Sequence, residues 1–423
     1  MRKNYKRLNV NIAGQSTKEP SRLFLIVFGA FLSWQIYGIF GAIPGLRGIF
    51  MIITASVSVF LAIIYTPNFF NKAFFEQKGW LILLTISLVF LVDYIADEDF
   101  SYMQFFIPLC VYFCAYVYLR EKKVSKGFTL WIMLNIIFKI VITFLFYKDD
   151  PLIVKHYDHI GYASVDGIKR SIVGYSSIYL ITPCVLLFLA YFFCKKTKYR
   201  KSALITAILS VVIIYMSQVS AMIFSMTLLF VLLFIAKGTN VKNKKSLIIM
   251  ILIFTLLLWL FAVPILNYVS KIEFLGPAFQ NRVEGLIGVI NGGMGYVDST
   301  YTDMLEGDSV VNRFYSYEKS FEAFSHNFFL GKLTTDALAG EGHSQIIDMM
   351  STYGIFSVLP WILFVLNTYK INVNKYKNSV VEVSLIYGYI LLISILNNFG
   401  VSAVAMISLI MIPQFLGEIE ENQ

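Results

Sequence analysis

Apolar runs of about 20 residues recur along this chain, each closed by a short polar segment. A helix needs roughly 20 predominantly apolar residues to cross the hydrocarbon core of a bilayer. Twelve runs meet that measure, at 22–41, 46–66, 79–96, 101–119, 127–147, 171–194, 202–217, 219–236, 246–268, 344–366, 380–396 and 398–416. The seventh is short and turns tightly into the eighth. The first starts near Arg22 and leads into another run without a small-residue cleavage site, so it reads as a first transmembrane helix rather than a cleaved leader. The pattern predicts an all-α, polytopic membrane protein with about 12 transmembrane helices.

The polar segments between the runs carry the orientation. Lys and Arg collect in every second segment, as in Arg120, Lys122, Lys123 and Lys126, then Lys195, Lys196, Lys198, Arg200 and Lys201, then Lys237, Lys242, Lys244 and Lys245. The intervening short segments are acidic, as in Asp97, Glu98 and Asp99. Basic residues stay on the cytoplasmic side. The expected organisation is a cytoplasmic tail over 1–21, helices 1–9 over 22–269, a large extracytoplasmic loop over 270–343, helices 10–12 over 344–416 and a cytoplasmic tail over 417–423. Both termini then face the cytoplasm from the cytoplasmic membrane.

Two outer segments depart from the short-loop rule, 148–170 and 270–343. Long loops without structure are uncommon and tend to be functional or disordered. The second holds turn signals at Asn291-Gly292-Gly293 and Gly307-Asp308, a helix-like stretch over 311–325, many aromatics and both charge signs. It reads as a folded cap. No internal or inverted repeat of the kind found in many transporters is present.

Composition agrees. Hydrophobic residues make up 57% and charged residues 14%, against about 25% charged in soluble domains. Such a chain cannot cover a water-facing surface, so membrane lipids are a partner. The net charge of +9 suggests nucleic acid, but the basic residues sit in short clusters between apolar runs, and no nucleic-acid partner is expected. Cys110, Cys114, Cys184 and Cys194 lie in or at the ends of apolar runs without disulfide or zinc spacing, and read as small hydrophobes.

The four histidines, His156, His159, His326 and His343, all fall on the outer side. His343 stands in Gly340-Glu341-Gly342-His343-Ser344, just before the tenth run. Two glycines let the backbone turn sharply there. His343 reads either as a capping or solvent-facing interfacial residue, or as a general base at membrane depth. The outer arginines are Arg47, Arg170, Arg282 and Arg313. A guanidinium matches two phosphate oxygens and keeps its charge, so a lipid-linked diphosphate would account for them; headgroup contact or salt bridging is the alternative. Lys139, Asp348 and Glu382 are charges in or near apolar runs, where burial in lipid costs at least ~2.5 kcal/mol. Lys139 reads as one partner of a structural pair. Asp348 and Glu341 are candidates to line a cavity near His343. The acidic run after Asp93 reads as a solvated loop, and neither a Walker loop nor a His-Glu-x-x-His motif occurs. No metal ligands and no cofactor are expected.

His343, Ser344, nine residues and Gly354 fit the spacing that resembles the bacterial O-antigen and capsule polymerase family (Wzy-type), whose layout is shared with the O-antigen ligases (WaaL-type). The pattern continues with Gly, Thr or Tyr where this chain has Ser357. Asn312-Arg313 through Gly331 is similar to the family's upstream arginine, amphipathic stretch and glycine segment. Arg170, Gly174 and Ser176 mirror a further arginine at the start of a mid-chain span. A Ser-Arg pair of the family is missing at Ser217-Gln218-Val219-Ser220-Ala221, with Arg282 the candidate to replace its arginine. The resemblance implies a GT-C-like architecture and inverting, metal-independent glycosyl transfer from an undecaprenyl diphosphate-linked oligosaccharide. His343 would take the acceptor proton, and Arg170, Arg282 and Arg313 would hold the diphosphate. A chain-length regulator and a flippase are further candidate partners. Ligase and lipid-linked oligosaccharide flippase stay open as alternative functions.

Overall fold

A computed structural model describes residues 19–37, 46–96, 103–149, 175–194, 196–217, 219–238, 262–271, 280, 283–292, 309–333, 344–397 and 399–422. Among these, every regular element is helical. The helices are α1 (Arg22–Tyr37), α2 (Leu46–Tyr65), α3 (Phe69–Asn71, running on as a π turn over Lys72–Glu76), α4 (Trp80–Ala96), α5 (Met103–Leu119), α6 (Lys126–Asp149), α7 (Tyr175–Phe193), α8 (Arg200–Met216) and α9 (Ser220–Gly238). They continue with α10 (Ala262–Val269), α11 (Val283–Gly292), α12 (Ser309–His326), α13 (Gln345–Lys375), α14 (Val380–Leu396), α15 (Val401–Ala405) and α16 (Ile412–Asn422). A π turn over Met406–Met411 joins the last two into one rod.

A helix lies over each apolar run of the sequence except the ninth, 246–268, which falls outside the described residues apart from 262–268. Four helices are long and apolar enough to cross a membrane: α6, α13, α14 and the α15–α16 rod. The bent pair α2 and α3 makes a fifth, with an angle of 105° between its parts. The remaining apolar helices are shorter. Large apolar side chains point outward around the bundle, among them Ile26, Ile52, Phe60, Phe138, Leu145, Leu366 and Leu391. A belt of that size on a water-facing protein would drive aggregation; facing lipid it is the expected surface. Among the described residues the protein is all-α, and its long apolar helices mark it as a membrane protein.

The α15–α16 rod is the central post. Its spanning window is 83% buried, against 50–56% for the other three long helices. α5, α6, α7 and α13 surround it. The wide π turn leaves the Ser408 carbonyl to accept a hydrogen bond from Asn372 Nδ2 at 3.0 Å, and the same amide nitrogen reaches the Tyr387 hydroxyl at 3.0 Å. The Tyr387 hydroxyl donates in turn to Thr368 Oγ1 at 3.0 Å. Polar side chains between spans are tolerated because each finds a partner where water is absent.

The charges in the spans follow the same rule. Lys139 is buried in α6, and its ammonium donates to the Ile36 carbonyl in the last turn of α1. A cation there meets the negative end of the helix dipole. Its partner is thus a helix end rather than a carboxylate. Glu382, in the first turn of α14, pairs with Lys237 in the last turn of α9 at 2.6 Å, so each charge also complements its own helix dipole. At one end of the bundle Lys72 of α3 pairs with Glu121 at 2.6 Å, Glu421 accepts from the Val124 amide at 3.0 Å, and Glu420 accepts from Asn378 at 3.1 and 2.9 Å. The end of α16 therefore ties down the turns after α5 and α13. Beside them, Phe70 and Phe75 on the α3 turn stand outward, 62% and 78% exposed.

α13 is not continuous. Gly354 takes φ +70° and ψ 173°, which breaks the helix. The amides of Ile355 and Phe356 turn away from their own helix and donate to the carbonyls of Phe328 (2.9 Å) and Phe329 (3.5 Å). On the crossing segment Gly331 takes φ +59° and lies over Thr352. A Cβ at Gly354 would stand 2.2 Å from the Phe329 oxygen, and one at Gly331 would stand 2.3 Å from the Thr352 oxygen. Each glycine is required by the other's backbone.

Gly354→Ala is expected to cost about 3 kcal/mol or more, from positive φ and a backbone clash together. Gly388→Ala, on α14 with nothing within 4 Å of its Cβ, is expected to stay within about 1 kcal/mol of wild type. Thermal unfolding of both variants in detergent checks this, and equal midpoints would contradict the crossing.

Candidate functional site

Opposite helix ends meet where α13 begins and α14 stops, and α12 lies across them. α12 turns its buried Ser316 and Ser320 toward this junction, with Arg313 and Tyr317 on the same stripe at helical spacing. Small side chains at the contact let the helix approach closely. Helix-like character over 311–325 is realised as Ser309–His326.

The first turn of α13 has free amides and the last turn of α14 has free carbonyls. Ser344 is the N-cap of α13; its Oγ accepts from the Ile347 amide at 3.3 Å and donates to the Ser394 carbonyl at 3.3 Å. Asp348 Oδ2 accepts from the Ser344 amide at 2.9 Å, a reciprocal cap, and Oδ1 accepts from Ser320 Oγ of α12 at 3.1 Å. On the α14 side, the Leu396 carbonyl accepts from Arg313 Nη1 at 3.2 Å and from the Tyr317 hydroxyl at 2.9 Å. Asn397 Oδ1 accepts from Arg313 Nη1 at 2.7 Å and from the Tyr179 hydroxyl of α7 at 2.9 Å. The Asn397 carbonyl accepts from the Gln345 amide at 3.3 Å. Four helices thus share one polar cluster.

The electrostatics are lopsided. Arg313 is half-buried and both its contacts run through Nη1 to neutral oxygens. Nε and Nη2 remain open among the described residues. Burial pushes the Tyr317 phenol above its ordinary value, with Arg313 lowering it and Asp348 raising it. The phenol therefore stays protonated as a donor to Leu396. Farther along α12, Lys319 and Glu322 pair at 2.9 Å on the exposed face, each shifted toward its charged form by the other.

Two of the candidate residues from the sequence lie in this cluster. Arg313 is a guanidinium with an open side, and Asp348 is the cap of α13 and its tie to α12. His343, Arg170, Arg282 and Glu341 lie outside the described residues; His343 precedes Ser344 in the chain. Sequence reasoning missed Asn397, Tyr179, Tyr317, Ser320 and Gln345. Asn397-Asn398, two adjacent amides between the last two apolar runs, was the available signal. Tyr179 sits inside an apolar run and gave none.

The segment after α12 is aromatic. Phe324 meets Phe328 at a tilt, with 4.9 Å between ring centres, Phe328 meets Phe329 edge to face at 5.0 Å, and Phe329 stacks on Phe356 at 5.3 Å. Phe328, Phe329 and Phe356 are about half exposed.

No protein-family model matches the sequence, and no curated protein matches it.

Asp348→Ala should cost about 1–2 kcal/mol through the lost cap and the Ser320 tie, read as a lower unfolding midpoint. Tyr317→Phe should cost about 1 kcal/mol at neutral pH. The folded Tyr317 holds its proton more tightly than the unfolded chain does. Its contribution is complete below about pH 10 and falls as pH rises toward the folded value. Stability of the wild type should then decline above pH 10 more steeply than that of Tyr317→Phe; parallel declines would remove Tyr317 from the titration.

Proposed function

We propose that this chain is a polysaccharide repeat-unit polymerase, an inverting, metal-independent membrane glycosyltransferase of GT-C-like architecture. It works at the outer face of a bacterial cytoplasmic membrane with about 12 spans and cytoplasmic termini. The donor is a growing glycan on undecaprenyl diphosphate, and the acceptor is a sugar hydroxyl of another lipid-linked repeat unit. The observation that carries this reading is the interlock of the two segments that resemble the family. Residues 313–331 fold onto Ser344–Gly354, so that Arg313 and the residue after His343 belong to one hydrogen-bonded cluster.

The chemistry follows from those residue types. The acceptor oxygen forms a bond to the anomeric carbon while the bond from that carbon to the diphosphate oxygen breaks. The acceptor proton goes to the His343 imidazole, and the lipid diphosphate leaves with the electron pair. Arginine charge is most useful where negative charge builds on the leaving group. Arg313 offers its open nitrogens for that task, with Arg170 and Arg282 as companions. The exposed Phe328, Phe329 and Phe356 offer faces to lipid and sugar rings.

His343→Ala is expected to slow chain growth on purified lipid-linked repeat units by about 10²–10⁴-fold, the usual worth of a positioned base. Growth at the wild-type rate would remove His343 from the mechanism. Arg313→Ala and Arg170→Ala should lose more activity than Arg47→Ala. In a deletion strain, single repeats should accumulate; unattached long polymer would point to a ligase instead.

A further inference from the structure

Asn397 is 5% exposed and its Oδ1 already receives two protons, from Arg313 and Tyr179. An arginine carries only donors, so the atom facing it must be the amide oxygen. The other end is therefore Nδ2, which has no hydrogen-bond partner among the described residues. Buried amide donors in folded proteins are nearly always satisfied, and an exception asks for an absent partner. Gln345 repeats the pattern beside it. It is 5% exposed, Nε2 has no partner among the described residues, and its backbone amide is bonded to Asn397. Two buried amide nitrogens with no partner among the described residues and the open side of Arg313 lie in one cluster. All three are donors. The complement is a compact ligand made of acceptor oxygens with negative charge.

We infer that Asn397, assisted by Gln345, is a diphosphate-binding residue that donates through Nδ2 to the same anion Arg313 holds. The lipid-borne source of that diphosphate rests on the function proposed above; the donor array itself does not. Asn397 therefore has two separate jobs. Its oxygen aims Arg313, and its nitrogen meets the ligand.

Asn397→Asp separates the jobs. The new carboxylate keeps an oxygen for Arg313 and Tyr179 and gains an ion pair, while the second donor becomes a repelling acceptor. Full-length protein in nanodiscs is titrated with undecaprenyl diphosphate and, separately, with inorganic pyrophosphate, following intrinsic tryptophan fluorescence. Asn397→Asp should weaken diphosphate binding at least tenfold while the thermal midpoint holds or rises. The loss should persist in an Arg313→Gln background, where neutralising Arg313 no longer contributes. Unchanged binding in that background would mean Asn397 acts only through Arg313, and the inference would fall. So would failure of both probes to bind the wild type. Pyrophosphate binding with the same sensitivity would assign recognition to the diphosphate alone, and binding of the lipid only would assign it to the lipid-borne form. Wild-type binding without chain growth on repeat units would sink the polymerase reading and leave this site standing.

Discussion

Residues 328–331 and 352–356 cross backbone to backbone, with no side chain between them on either glycine. The N-terminal part of α13 hangs on that crossing. It breaks α13 at Gly354, so the first turns of the helix are free to lean toward α14 while the rest runs with the bundle. It also anchors the C-terminal end of α12, which then lies across the α13–α14 junction with Ser316 and Ser320 inward. Without close backbone approach the Ile355 and Phe356 amides, turned out of their own helix, would lose the Phe328 and Phe329 carbonyls as acceptors. Positive φ at both glycines is the local condition for that approach.

At the junction, opposite helix ends satisfy one another. The amides opening α13 and the carbonyls closing α14 would each need water or a side chain. Here Ser344, Asp348, Arg313 and Tyr317 serve instead. A cluster built this way holds its arginine by neutral oxygens, so the guanidinium keeps its full charge for another partner. A carboxylate in the place of Asn397 would quench it.

The helices were legible because lipid imposes length and apolarity on a segment whatever it packs against. Charge placement pointed to Arg313, and the family resemblance pointed to Gly354 through its spacing from His343. Charge placement also put Asp348 near a cavity, where the structure finds a cap, because helix-start chemistry and cavity chemistry use the same residue types. Asn397 and Tyr179 were invisible. Their roles depend on α7, α12 and α14 meeting, and a contact between residues more than 200 positions apart leaves no periodic trace. The partner of Lys139 escaped for a related reason, since a carbonyl at the end of α1 has no side-chain signature.

The 105° bend between α2 and α3 has a mechanical consequence for a site at the far end of the bundle. A helix lying across the direction of the spans resists displacement along them, because Phe70 and Phe75 would have to leave the apolar layer or sink with Lys72 and Glu121 into it. Spans alone slide easily by a few ångströms, as tilt and lipid thickness adjust to one another. With one crosswise element tied to the turn after α5, the α13–α14 junction keeps a fixed distance from that element. Any group held by Arg313 would share that fixed distance.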